Sequence, residues 1–322
     1  MSTPQLQRLR AVPRLRVAEN VSLSQYTRFG IGGPATAYVE TDDETAFSAA
    51  LEIVQSESAP WVVIGGGTNL IVSDHGYPGV VLRFTASTAS VNGSTIEAAA
   101  GAVLQDIVDL SVSNGLARIH TMTGIPGTLG AAVYGNAGAY GHSISESVRE
   151  VRFFDGKTVR TFDNAACEFT YRESVFKKNK NWIIFSTRLV LEPGNAEELS
   201  QIAGDILRTR NEKYPPTMKC AGSIFKNLLF AELPAAVQDR LPSKVIREGK
   251  VPSAWFLEQT GAKGLRVGGI QVAEYHANLI YNAGGGTAAE LIAVITELKS
   301  RVQAEFGFWL EEEVQYIGFN GD

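Results

Sequence analysis

Hydrophobic and polar positions change rhythm repeatedly along this chain, and each change predicts an element. "YTRFGIGGPATAYVE" (Tyr26–Glu40) leads into a 3.6-residue apolar period that predicts a helix over about Asp43–Ser56, with Asp42 or Asp43 as its cap. "WVVIGGGTNLIVSD" (Trp61–Asp74) is an unbroken apolar run of buried-strand type that passes straight into a glycine turn. Gly79–Phe84 predicts another strand, and Ala102–Leu116 a helix closed by Gly115. Small residues crowd Gly124–Gly141. Val148–Phe162 alternates as a hairpin, with Asp155-Gly156 at the turn. A strand over Trp182–Leu191 precedes a helix over about Glu197–Glu212.

The paired prolines of "EKYPPTMKC" (Glu212–Cys220) stop that helix and mark a boundary. Beyond it the pattern predicts a helix at Ser253–Thr260, a strand at Ala277–Asn282 and a long helix at Ala288–Phe306. Thr287 and Glu290 have capping-box spacing for the last helix, and Gly307 closes it. A final strand is expected over Trp309–Phe319, with Glu311, Glu313 and Gln315 on one face and Val314 and Tyr316 on the other. Helices and strands mix without a strict βαβ rhythm, which favours α+β over a doubly wound sheet. No repeat of 20–50 residues interrupts this reading.

Length then adds subdomains: 322 residues exceed what one core serves, so two or three are expected. A hydrophobic content of 44% and a charged content of 20% are those of an ordinary soluble protein. A net charge of −5 excludes a nucleic-acid or anionic-membrane partner that depends on bulk charge, though not a local basic pocket. Neither a signal-peptide core nor a spanning apolar run is seen, and Cys167 and Cys220 are too few for a disulfide framework. The expectation is a reduced, cytoplasmic protein that binds no metal, since no His/Cys/Asp cluster has ligand spacing.

The 32 glycines cluster, and two clusters carry candidate chemistry. Gly65-Gly66-Gly67-Thr68-Asn69 ends a predicted strand, where successive N–H groups can converge on a phosphate. Gly124-Ile125-Pro126-Gly127-Thr128 offers a second such cradle. Two cradles suit a dinucleotide better than a mononucleotide. Neither has the G-x-G-x-x-G spacing of a Rossmann turn, and each alone reads equally well as a tight hairpin.

The segments "FGIGGPA", "IGGGTNLIV", "GIPGTLGAAVYGNAGAYG", "YRESVFK", "AGSIFKN", "GGIQVAEYHANLIYN" and "LEEEVQYIG" occur in order from Phe29 to Gly318. In this set the chain resembles the UDP-N-acetylenolpyruvoylglucosamine reductases of bacterial cell-wall synthesis. The resemblance implies an α+β fold: a two-lobed FAD-binding domain of the vanillyl-alcohol-oxidase (PCMH) type and a C-terminal α+β substrate-binding domain. It implies an FAD-binding domain at 24–193, with lobes about 24–84 and 85–193, a helix and linker at 194–215, and the substrate domain at 216–322. The short stretch between Arg172 and Ser223 resembles the second subclass of the family, which lacks the tyrosine-bearing loop. Leu228 and Gly135 depart from the family pattern, where a proline and a bulkier residue are common.

By that resemblance Gly65–Leu70 and Gly124–Thr128 cradle the FAD pyrophosphate, and Asn136, Gly138 and Tyr140 line the cofactor. NADPH is the implied co-substrate, and the small-molecule substrate is the enolpyruvyl ether of UDP-N-acetylglucosamine. Hydride delivery to its terminal carbon builds negative charge beside the carboxylate, so the site needs a cation or donor for the enolate and an acid for the α-carbon.

Ser223 in "KCAGSIFKN" is the expected acid. A nucleophilic serine normally needs a positioned base, and no G-x-S-x-G elbow with a histidine partner is evident here; a phosphate-loop serine follows lysine in a P-loop, which this segment lacks. Outside the family pattern Ser223 would read as an ordinary turn serine. Arg172 in "YRES" is the candidate for gripping the carboxylate with two parallel hydrogen bonds. Glu313 is expected near both, either protonated or orienting the arginine, whereas Glu311 and Glu312 read as a solvated edge. Lys213, Lys226, Asn227 and His276 are weaker candidates for the sugar or diphosphate. Two competing readings are another FAD oxidase or dehydrogenase of the same fold, and a noncatalytic UDP-sugar or flavin-binding regulator.

Overall fold

The computed structural model describes residues 3–56 and 59–319. The chain divides into two units, one of Met1–Val21, Ala35–Gly67 and Pro78–Glu212, the other of Ser22–Pro34, Thr68–Tyr77 and Lys213–Asp322. Both mix helices and strands, as the α+β expectation required.

The first unit holds two sheets. One runs in the order Arg16–Ser22, Pro34–Thr41, Tyr77–Phe84, Trp61–Val63, with the last pair parallel. The other is antiparallel, in the order Val159–Asp163, Val148–Phe154, Ile183–Val190, Thr95–Ala99, Ala89–Asn92. The helix Glu44–Ser56 buries a stripe of Ala46, Phe47, Ala50, Leu51 and Val54, the spacing that its apolar period demands. Asp43 caps it by accepting from Ala46 N at 2.9 Å. Phe47, Phe84 and Phe185 meet edge-on or tilted, which joins this helix to a strand of each sheet. In the hairpin, Asp155 Oδ1 accepts from the N–H groups of Lys157 and Thr158, and only Gly156 takes the positive φ.

The second unit is built around the sheet Arg266–Val267, Ile270–Ala273, His276–Asn282 and the helix Ala288–Phe306. That helix buries Leu291, Val294, Ile295, Leu298 and Val302, and both halves of the Thr287–Glu290 capping box are formed. Asp74 adds a second cap, its carboxylate accepting from Ala288 N at 2.8 Å and Ala289 N at 3.0 Å. Backbones approach too closely here for any side chain. A Cβ on Gly76 would lie 1.9 Å from Pro34 O, and one on Gly318 would lie 2.0 Å from Gly76 O.

One expected element is shorter than its pattern suggested. The final strand covers only Gln315–Ile317, paired in parallel with Leu70–Val72. The reason is competition for backbone partners. Upstream of Gln315 the chain instead serves the Ser223 segment: Lys226 N donates to Glu311 O, and Glu313 N donates to Ile224 O. Glu311 and Glu312 are also not a plain solvated edge. Glu311 pairs with the buried Lys226, and Glu312 pairs with Lys299 at 2.9 Å.

Candidate active site

In the second unit, Ser223 sits on a segment held from both sides. Gly222 supplies the turn with φ +82° and open space around its α-carbon. Ser223 then bridges Leu279 on one side, while Phe225 bridges Glu312 on the other. The Asn278 amide locks this arrangement. Its Oδ1 accepts from Ile224 N at 3.2 Å and Phe225 N at 2.9 Å, and its Nδ2 donates to Phe225 O at 2.9 Å and Ser253 Oγ at 2.7 Å. Ser253 Oγ donates in turn to Phe225 O at 3.2 Å. Asn278 is 2% exposed, so this satisfied network is what makes its burial tolerable.

Glu313 is brought beside this segment through its backbone. Its N–H reaches Ile224 O at 2.7 Å, and its carbonyl accepts from Asn69 Nδ2 at 2.8 Å. Ser223 and Glu313, ninety residues apart in number, therefore lie on neighbouring extended segments of one unit. The serine hydroxyl lies 3.2 Å from the Tyr214 hydroxyl. Tyr214 has no signal in the sequence beyond standing before two prolines.

Of the weaker candidates, Lys226 engages Glu311, and Asn227 Oδ1 accepts from Ser253 N at 3.4 Å. Lys213 Nζ sits 5.1 Å from the centre of the Tyr214 ring. His276 Nδ1 accepts from Asn278 N at 3.2 Å. Burial, helped by the charge of Lys213, lowers the His276 pKa from 6.5 to about 4, so the imidazole is neutral with its proton on Nε2.

That depression has a direction in pH. Below pH 6.5 the unfolded chain takes up a proton that the folded chain refuses until about pH 4. Stability present above 6.5 is therefore lost as pH falls through this window, by no more than about 3 kcal/mol once screening by nearby solvent is allowed for. His276→Asn keeps an oxygen acceptor for the N–H two residues on and does not titrate. Its urea midpoint, measured from pH 7 to 4, is expected to fall less than that of the parent; parallel curves would refute the assignment.

In the first unit, Arg172 has φ +61°, lies over the Tyr171 ring at 5.2 Å and donates from one terminal nitrogen to Gly138 O at 3.0 Å. Its carbonyl accepts from Lys177 Nζ at 2.9 Å, and Lys177 also pairs with Glu173 at 2.7 Å. Asn136, φ +42°, ties the same region together by donating to Thr170 O at 2.7 Å and accepting from Ser145 N at 3.3 Å. The structure thus brings Asn136, Gly138 and Arg172 together, and leaves Tyr140, φ +53°, half exposed on the adjoining turn.

The glycines of the first loop that belong to this unit, Gly65–Gly67, also approach the second loop. A Cβ on Gly65 would lie 3.0 Å from Thr128 Oγ1 and 3.2 Å from the Ala131 methyl group, so glycine there is what lets the first loop approach the second. Gly67, Gly124 and Gly127 take φ values of +66°, +75° and +119°, a region costly for residues with a Cβ. Gly124 N donates to Gln105 Oε1 at 2.7 Å and Ile125 N to Met122 O at 3.0 Å. Those two N–H groups are spent within the chain, so an anion on this loop must draw on its neighbours. Gly124 is itself covered, since a Cβ there would lie 3.1 Å from the Arg210 side chain and 3.3 Å from Leu207; what the two loops offer a phosphate-bearing cofactor is glycine backbone with no Cβ to hold an anion away.

Cys167 and Cys220 are free and buried; burial pushes the Cys167 thiol up to about 12 and raises that of Cys220. Among the described residues no cluster of three His, Cys, Asp or Glu side chains could hold a metal ion, and no helix is long and apolar enough to cross a membrane.

Comparison with known proteins gives this arrangement its class. Residues 35–161 match the family described as FAD binding domain, which makes the chain a flavoprotein of the oxidoreductase kind. Residues 214–317 match the C-terminal domain of UDP-N-acetylenolpyruvoylglucosamine reductase. The protein of that name from Solibacter usitatus is 61% identical over 311 residues, 97% of this chain and 100% of its own. The one from Rubrobacter xylanophilus is 34% identical over 302 residues, 92% of this chain and 93% of its own. The crystal structure of the Thermus caldophilus reductase superposes with a TM-score of 0.74 at 28% identity, covering 94% of this chain and 99% of that one. The chain belongs to the UDP-N-acetylenolpyruvoylglucosamine reductase family.

Proposed function

We propose that this protein reduces UDP-N-acetyl-3-O-(1-carboxyvinyl)glucosamine to UDP-N-acetylmuramate for peptidoglycan synthesis, with NADPH as reductant and FAD as its cofactor. Gly65–Leu70 and Gly124–Thr128 would hold the cofactor pyrophosphate, with Asn136, Gly138 and Tyr140 alongside. Bound there, FAD supplies the hydride for the terminal carbon of the enol ether. Arg172 grips the substrate carboxylate, where its guanidinium answers the charge that the enolate develops. Ser223 gives its proton to the α-carbon, and Glu313 supports the developing enolate from the neighbouring segment. Lys213, Lys226, Asn227 and His276 serve the sugar and diphosphate.

The observation that carries this reading is the treatment of Ser223. Its backbone pairs with Leu279, and the two residues after it are pinned by Asn278 and the Glu312–Glu313 stretch, while its hydroxyl lies against another hydroxyl and not a base. That arrangement suits an acid acting on a strongly basic carbon, and does not suit a nucleophile. Between Arg172 and Ser223 the chain is occupied by the helix Val175–Lys178, the strand Ile183–Val190 and the helix Ala196–Lys213. This supports the subclass without a tyrosine-bearing loop. We assign the FAD-binding role to residues 24–193 and the substrate-binding role to 216–322, joined through 194–215.

The purified protein is expected to be yellow and to oxidise NADPH only when the enolpyruvyl UDP-sugar is supplied. Rapid NADPH oxidation by dioxygen alone would identify an oxidase instead, and a yellow protein without turnover a binding regulator.

A further inference from the structure

Tyr214 follows the last residue of the helix Ala196–Lys213, and Pro215 restricts its backbone to extended conformations. Two tight turns, Met218 N to Pro215 O at 2.8 Å and Cys220 N to Met218 O at 3.0 Å, bring the chain back toward it. The ring packs on the buried cluster of Cys220, Ala273 and Leu279, and Leu279 is the residue that bridges Ser223. Lys213 Nζ over one face, and the Tyr275 hydroxyl on Lys213 O at 2.9 Å, fix Lys213 and Tyr214 within the second unit. The phenol and the serine are thus anchored to one strand, with their hydroxyls 3.2 Å apart.

Two hydroxyls in contact have one donor and one acceptor, and chemistry decides which is which. A phenol is the more acidic group, with an ordinary pKa of about 10 against an aliphatic alcohol that does not titrate in water. It is therefore the better donor, and its advantage grows as charge collects on the alcohol oxygen.

We infer that Tyr214 is a positioning residue of the protonation step: its O–H donates to Ser223 Oγ, turns the serine proton away toward the substrate, and stabilises the oxygen that gives the proton up. In that step the Ser223 O–H bond breaks and the electron pair of the enolate forms the new C–H bond at the α-carbon. The negative charge passes to Oγ, where the Tyr214 hydrogen bond strengthens. Water then returns a proton to Oγ and leaves as hydroxide. The inference rests on the reading of Ser223 as proton donor.

The test is Tyr214→Phe, which keeps the ring on its cluster and removes only the hydroxyl. Single-turnover mixing with NADPH, then with the enolpyruvyl UDP-sugar, separates the two halves of the reaction. The first half is expected within twofold of the parent, and the second slowed about ten- to a hundredfold, the loss of one hydrogen bond to a charged oxygen. The solvent deuterium isotope effect on the second half should rise, and Tyr214→Phe should add nothing to Ser223→Ala. Equal rates in variant and parent, or equal slowing of both halves, would overturn the inference. So would an effect of the same size in the Ser223→Ala background.

Should Tyr214→Phe lose its fold, 3-fluorotyrosine at 214 decides, because it is a stronger donor of nearly the same shape. A second half at least as fast as the parent's supports the inference, and a severalfold loss overturns it. A parent protein that never turns over the UDP-sugar is a different result: it removes the proposed function itself, and this inference with it.

Discussion

Ser223→Ala is expected to leave reduction by NADPH near the parental rate and to slow product formation by about 10²–10⁴, the range for a positioned general acid. The selectivity follows from where the residue's constraints lie. The backbone of this segment is fixed by Asn278 and by pairing with Leu279 and Glu312, none of which uses the serine oxygen. The substitution therefore removes a proton and an acceptor for Tyr214 while the segment keeps its course. Ser223→Cys makes the prediction sharper. A thiol is a stronger acid than an alcohol but a poorer hydrogen-bond partner, so this variant should fall between the parent and the alanine variant. Rapid mixing resolves the two halves, and equal slowing of both would mean that Ser223 serves cofactor binding and not protonation.

The sequence was most legible where local rules are strong. The helix Ala288–Phe306 was readable at both ends, because a capping box and a closing glycine are contiguous in the chain and need no tertiary information. Asp155-Gly156 and the strands around it were readable for the same reason. The end of the chain was not. Trp309–Phe319 alternates like one strand, but Glu311–Glu313 find their backbone partners in Ser223–Lys226, some ninety residues earlier, and only Gln315–Ile317 reach Leu70–Val72. Alternation reports a half-buried extended segment and cannot report whose carbonyls it meets.

The site shows the same division. Ser223, Arg172 and Glu313 could be proposed from the sequence because they stand in recognisable segments. Tyr214 sits in a stretch that reads as a linker, and only the return of the chain through Met218 and Cys220 brings its hydroxyl to the serine. Asp74 reads as a loop acid, and only the fold sets it over the first N–H groups of a helix more than two hundred residues later.

Arg172→Lys keeps the charge and is still expected to lower kcat/KM for the UDP-sugar about ten- to a hundredfold, with Arg172→Ala lower again by roughly tenfold. An arginine offers a rigid planar fork to a carboxylate, and a lysine offers one rotating ammonium. Replacing one with the other forfeits one of two charge-assisted hydrogen bonds, each worth about 1.5–3 kcal/mol. It also removes the guanidinium from over the Tyr171 ring, 5.2 Å from its centre, and the hydrogen bond to Gly138 O. Backbone strain does not confuse the comparison, since lysine meets φ +61° at the same cost as arginine. Reduction by NADPH should stay within a few fold of the parent, because the carboxylate is not present in that half. Added guanidinium ion should restore part of the activity of Arg172→Ala and none of that of Ser223→Ala, the outcome that separates a missing cation from a missing acid. Rescue of neither, with both halves slowed alike, would place Arg172 in the scaffold of the Gly138 turn and take the carboxylate away from it.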